Sequence, residues 1–185
     1  MIPMRRLCIA FFSAVLALLA LAASPAPALA APGDSHCVWT HLPQAFRDKL
    51  IADYQVDRAK AFEGIGDEVF NTAARACGLT RITGAVQKAT QGELLMRVSA
   101  AALKARYGVD EDALRAAWLS FPEADRRRAT PLFTTGAISQ ASEEDRVFLR
   151  TFPEGVLARL KLPPEAMLDV AIWIAGYCYL DQYET

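Results

Sequence analysis

Histidine is almost missing from this chain: His36 and His41 are the only two in 185 residues. Any imidazole base or metal ligand must therefore come from one short segment. No Gly-x-Ser-x-Gly elbow, no Gly-rich loop ending in Lys-Ser or Lys-Thr and no His-Glu-x-x-His is present, so the usual signatures of serine hydrolases, P-loop enzymes and zinc proteases are absent. Charge of one sign is lacking too. With 20 Lys and Arg against 21 Asp and Glu, the electrostatics do not favour DNA, RNA or an anionic lipid as partner. At 53% apolar and 22% charged residues, the composition is not that of a disordered chain.

What is present begins with an address. Arg5 and Arg6 are followed by a run without charge from Leu7 to Ala23, then by Ser24-Pro25-Ala26-Pro27 and by the small-x-small site Ala28-Leu29-Ala30. That order reads as a secretory signal peptide over residues 1–30, cut after Ala30 or Ala31. The alternative is an uncleaved anchor helix, for which the apolar run is short and its proline-rich end unsuited. The expected product is an exported protein, periplasmic or secreted, with no integral membrane span after processing. It has 155 residues, enough for one domain, in which 18 Lys and Arg face 21 Asp and Glu.

Cysteine is sparse, and its count is odd after processing. Cys37, Cys77 and Cys178 remain in an oxidising compartment, where two can bridge and one is left over. The favoured pair is Cys37–Cys77, because Cys37 lies near a chain end that frays unless tied and Cys77 closes a helix beside the Gly78 turn. Cys178 lies in an apolar run from Val170 to Leu180, where a free thiol serves as a small core hydrophobe. The pattern His36-Cys37-x-x-x-His41 offers metal-ligand types. No partner at standard spacing completes it, and a bridged Cys37 is unavailable, so no metal or other cofactor is expected.

The apolar period is helical almost throughout. Residues 31–42 read as a flexible leader and 43–185 as a single helical domain. Phe46, Leu50 and Tyr54 recur at i, i+4 and i+8, predicting a helix over 43–57, with a short helical piece following at 58–63. Gly64-Ile65-Gly66 is a turn, and Asp67 caps a helix ending at Cys77. A long helix with Ala89, Met96 and Leu103 on one face ends at Gly108, and its small Ala89, Gly92 and Ser99 suit close approach of a neighbour. Asp110 caps a helix to Leu119, and residues 122–129 form one or two turns. The stretch 130–141 reads as a loop. Ser142 caps a helix to about Arg150, Phe152-Pro153-Glu154 starts another, and Pro163-Pro164 starts the last, running to about 182. The expected fold is all-α, a compact bundle of about six to eight helices with a central apolar C-terminal helix and one disulfide.

Two further patterns have plain structural explanations. Arg126-Arg127-Arg128 lies in a helical context, where successive side chains diverge by about 100°, so it reads as a solvated or internally paired face. Trp39-Thr40-His41-Leu42-Pro43 echoes Trp118-Leu119-Ser120-Phe121-Pro122, but apolar-Pro is simply a good helix start and the similarity does not extend downstream.

The acids Asp67/Glu68, Asp110/Glu111/Asp112 and Glu143/Glu144/Asp145 all stand at expected helix starts, where capping accounts for them. With no catalytic signature, the favoured function is binding of a protein or other envelope partner by a small exported protein of bacterial-envelope type. Trp39, which precedes the first expected helix, and Phe133 and Ile138, in the 130–141 loop, are the candidate contact residues. The alternative is an enzyme with carboxylate chemistry acting on cell-wall or glycan material.

Overall fold

Gly92 and Gly176 decide how this molecule is put together. In a computed structural model describing residues 36–58, 61, 68–79, 84–134 and 141–183, the helices carrying these glycines pack backbone to backbone. The helices are α1 (His36–His41), α2 (Gln44–Val56), α3 (Glu68–Ala76), α4 (Gly84–Tyr107), α5 (Glu111–Leu119), α6 (Glu123–Thr134), α7 (Glu143–Leu160) and α8 (Met167–Tyr183), with a 3₁₀ turn at Pro164–Ala166 before the last. Among the described residues there is no strand, and those from His36 onward belong to one compact unit. The all-α bundle with a central apolar C-terminal helix is as the sequence predicts. None of the described helices is long and apolar enough to cross a membrane.

Helix α4 separates two hydrophobic clusters and serves both. Leu94, Val98 and Ala102, at i, i+4 and i+8, face a cluster built with Cys37, Val38, Leu42, Leu50, Tyr54, Phe70 and Cys77. Met96, Ala100 and Leu103 face the other, where Leu114, Trp118, Phe152, Val156, Trp173 and Ile174 meet. A helix that serves two clusters buries more than one face, so its apolar residues are not confined to one narrow stripe. An ideal Cβ on Gly176 would lie 2.6 Å from the Gly92 carbonyl oxygen and 2.7 Å from the Met96 nitrogen, so only glycine permits this crossing. The small residues noted in α4 thus acquire their neighbour, α8.

The aromatics concentrate in the second cluster. Trp118 meets Phe152 edge-on at 5.4 Å between centroids, Phe121 lies 4.4 Å from Phe152, and Trp173 stacks on Tyr177 at 5.3 Å. Cys178 is buried there, the one cysteine outside the disulfide among the described residues. Burial pushes its thiol up to about 12, which keeps it protonated and unreactive at neutral pH. Alkylation followed by peptide mass mapping should leave Cys178 untouched in the native protein and modify it in urea; labelling without denaturant would show the segment opens.

Local signals explain most boundaries. Asp110 accepts from the Ala113 amide at 2.9 Å and Ser142 from the Asp145 amide at 3.0 Å. Gly78 (φ 73°) and Gly108 (φ 72°) supply the left-handed residues after α3 and α4.

Three expectations are corrected. The second half of the leader is helix α1, because Val38 and Leu42, four apart, are both buried and Cys37 is tied down. The expected 130–141 loop is helical to Thr134: Pro131 removes one backbone donor, but the Thr130 hydroxyl donates to the Arg126 carbonyl at 3.2 Å and the Thr134 hydroxyl to the Thr130 carbonyl at 2.8 Å. Arg150 does not end a helix. The series Phe148, Phe152, Val156 continues through Pro153, and packing of that stripe on the core outweighs the lost hydrogen bond, so α7 is one helix. Residues 1–35, the turn at 64–66 and Asp67 lie outside the described residues, as does most of the short piece expected at 58–63.

Candidate binding site around the disulfide-tied helix

Helix α1 is too short to hold itself, and four sets of contacts hold it. Cys37 is bridged to Cys77 just after α3, with a Cα–Cα distance of 5.7 Å. Val38 and Leu42 enter the first cluster. The Trp39 amide donates to Glu93 Oε2 at 3.2 Å, Glu93 being fully buried on α4. Arg47 of α2 sits 5.9 Å over the Trp39 ring.

This anchoring places the helix between two surface clefts. One, of about 480 Å³, is lined by Trp39 with Arg97, Ala100, Ala101 and Lys104 of α4 and Asp110, Glu111 and Asp112 at the start of α5. It is polar, and Arg97 is already committed to Glu111 at 2.7 Å. The other, of about 340 Å³, is lined by His41 and Pro43 and by Glu68, Val69, Thr72, Ala73 and Ala76 of α3. It is largely apolar, and Val69 is more than a third exposed. His41 stands on its rim beside the disulfide, its Nδ1 lying 3.0 Å from the Cys37 carbonyl, 3.2 Å from Cys37 Sγ and 3.6 Å from Cys77 Sγ.

The expected contact residues do not converge. Trp39 is half-buried against the first cluster, whereas Phe133 packs into the second from α6. Ile138 lies outside the described residues. Sequence reasoning missed two members of the His41 region: the α3 face carrying Val69, Thr72, Ala73 and Ala76, and Cys77 as a neighbour of His41. The spacing Val69, Ala73, Ala76 at i, i+4, i+7 was the available signal for the first.

It also missed the principal buried charge. Asp169, fully buried at the start of α8, accepts from the Arg58 Nε at 2.7 Å, the Tyr54 hydroxyl at 3.0 Å and an Arg106 guanidinium nitrogen at 3.1 Å. Arg106 also donates to the Gln55 carbonyl at 3.0 Å, so the end of α2, the end of α4 and the start of α8 are joined at one carboxylate. Asp169 is an isolated acid in an uncharged stretch running from Ala166 to Leu180, and that isolation was its only sequence signal. Removing it by Asp169→Ala should cost about 3 kcal/mol in urea unfolding, the low end for a broken buried pair because both arginines keep about a third of their side chains in water.

Burial, reinforced by the Asp169 carboxylate, holds the Tyr54 phenol protonated well above its ordinary range. The raised folded value means its contribution is complete below about pH 10 and declines above that, where the unfolded chain ionises and the native one does not. Tyr54→Phe should therefore be less stable than the parent by about 1.5 kcal/mol at neutral pH. That gap should narrow by about 1.4 kcal/mol per pH unit beyond pH 10. A gap that stays constant into alkaline solution would refute the linkage.

Arg127 pairs with Glu123, Arg126 donates to the Phe121 carbonyl at 3.2 Å, and Arg128 bridges Glu144 at 2.8 Å and Asp145 at 2.9 Å while lying over Phe148. Hydrogen bonds from Arg128 and then from Ser142 hold the Asp145 carboxyl below its usual range. The triple arginine is internally paired.

The chain matches no family model, no curated protein and no solved structure. Its functional reading therefore rests on the geometry around α1.

Proposed function

We propose that this is an exported binding protein, directed to the periplasm or outside by residues 1–30, that takes an apolar segment of an envelope partner protein into the cleft between α1 and α3. The observation that carries the reading is the cleft itself: about 340 Å³, open to solvent, with Val69, Ala73, Ala76 and Pro43 in its lining and the polar His41, Glu68 and Thr72 beside them. That composition is the usual one for a recognition site, apolar area for affinity with a few polar groups for orientation. The alternative, carboxylate catalysis on a glycan, finds less support. Both fully buried described carboxylates, Asp169 and Glu93, accept hydrogen bonds that join helices, and Asp110 caps one.

A photo-reactive phenylalanine analogue placed at position 69 in cells should give one discrete cross-linked protein, and the same analogue at the more exposed position 168 should not. Adding Thr72→Arg, which fills the cleft with charge on an exposed helix face, should abolish the product while the helical circular dichroism stays unchanged. Identical products from both positions, or a product insensitive to Thr72→Arg, would dispose of the proposal. Release of reducing ends from cell-wall glycan by the purified protein would favour the enzyme instead.

A further inference from the structure

Three ligating atoms converge on α1 from residues 37, 41 and 77: Cys37 Sγ, Cys77 Sγ and His41 Nδ1 all lie within 4.8 Å of one another. Tetrahedral zinc with sulfur at about 2.3 Å and nitrogen at about 2.05 Å requires sulfur–nitrogen edges of about 3.6 Å. The observed 3.2 and 3.6 Å already approximate both of those edges. The sulfur–sulfur edge would need to be about 3.8 Å, which two cysteine side chains reach by rotation once no bond joins them. His41 is exposed and lines the apolar cleft, so a fourth position would open towards water or a group entering there. Two thiolates and one imidazole with one open position is a ligand set that zinc takes readily.

We propose that the dithiol form of this chain binds one zinc ion through Cys37 Sγ, Cys77 Sγ and His41 Nδ1, so that the disulfide and the metal site are alternative states of the same three atoms. Every chain is made as the dithiol, so the metal state needs no reductant. On binding, the two thiol protons leave to solvent and the imidazole proton sits on Nε2, releasing Nδ1 from the Cys37 carbonyl. Oxidation reverses the exchange: the two zinc-bound thiolates give up two electrons as the Cys37–Cys77 bond forms, the sulfur–sulfur bond of a disulfide-bearing oxidant breaks and takes those electrons with two protons from solvent to become a dithiol, and the ion is expelled. The site shares His41 with the cleft, but its test reads cobalt and zinc binding alone, so its failure is distinguishable from failure of the partner-binding reading.

The test uses tag-free protein carrying Cys8→Ala and Cys178→Ala, which leaves Cys37 and Cys77 as its only thiols. After reduction with a phosphine and removal of the reductant, cobalt(II) serves as the spectroscopic probe and zinc(II) as competitor. One cobalt per chain should give thiolate charge-transfer bands and the visible bands of tetrahedral cobalt, both erased by zinc. The oxidised protein should give neither. His41→Ala should weaken zinc by at least about 100-fold, since even outer-shell changes cost about 10–100-fold, and His41→Cys should restore binding. His41 is exposed, so far-UV circular dichroism should show the same helix content in both variants. Absence of the cobalt bands in a reduced chain that keeps its helicity, or equal zinc affinity in the parent and His41→Ala, would overturn the proposal. Loss of helicity on reduction that zinc fails to restore would overturn it as well.

Discussion

The Gly176→Val chain should unfold at a urea midpoint about 2 M below the parent, a loss of about 4 kcal/mol at a slope of about 2 kcal/mol per molar. A side chain at this position meets backbone on the facing helix: the Gly92 oxygen at 2.6 Å, the Met96 nitrogen at 2.7 Å and the Met96 Cα at 3.1 Å. Backbone cannot rotate aside as a side chain does, so α4 and α8 must separate along their shared length. Separation would loosen contacts in both hydrophobic clusters, because α4 belongs to each. The effect therefore exceeds the usual 1–3 kcal/mol of an overpacked core by about 1 kcal/mol. Gly155→Ala provides the contrast. Its new methyl would meet the edge of the Phe121 ring at 2.9 Å, a side chain that can give, and alanine gains up to about 1 kcal/mol of helix propensity over glycine. That variant should fall within about 1 kcal/mol of the parent. Equal losses at the two glycines would show that the α4–α8 crossing is not the constraint described.

Removing the Cys37–Cys77 bridge should have an effect of similar size. The bond links residues 40 apart, and closing a loop of that length in the unfolded chain corresponds to about 4 kcal/mol on the chain-entropy account. Cys37→Ala/Cys77→Ala, measured without added metal, should lose about that much in urea unfolding. The loss has a local signature as well. Helix α1 has six residues, below the length that is stable alone, so without its bond Trp39 should become more exposed while the fully buried Trp173 does not. A red shift of tryptophan emission that disappears in a Trp39→Phe background would report this. A double variant as stable as the parent would mean that Val38, Leu42 and the Trp39–Glu93 hydrogen bond hold α1 unaided.

Much of the fold was legible because it is written locally. Asp110, Ser142, Gly78 and Gly108 act through their own backbone neighbours, so a cap or a left-handed turn can be read where it stands. The apolar run of α8 was legible for a related reason: a helix with no polar face must lie inside. The errors arose where a distant contact overrides a local preference. Pro153 ends a helix in isolation, yet Phe148, Phe152 and Val156 bury a stripe that keeps α7 whole. The leader looked frayed because Cys37 bonds to Cys77, just after α3, and the Trp39 amide to Glu93 on α4, 40 and 54 residues along the chain.

The candidate site was less legible than the fold, and the physical reason is sequence separation. Within its own segment His41 meets only one of its two sulfurs, that of Cys37; Cys77 becomes its neighbour only when α3 docks beside α1. Asp169 finds Tyr54 and Arg58 more than 100 residues away. By itself the sequence determined the helical class, most helix boundaries and the choice of cysteine pair, because period, caps and composition act over a few residues. Only the tertiary structure decided which glycines must stay glycine, which carboxylate joins three helices, and that an imidazole stands beside two sulfurs at the rim of an apolar cleft. Those depend on where surfaces meet, and no local pattern encodes a meeting between residues that far apart.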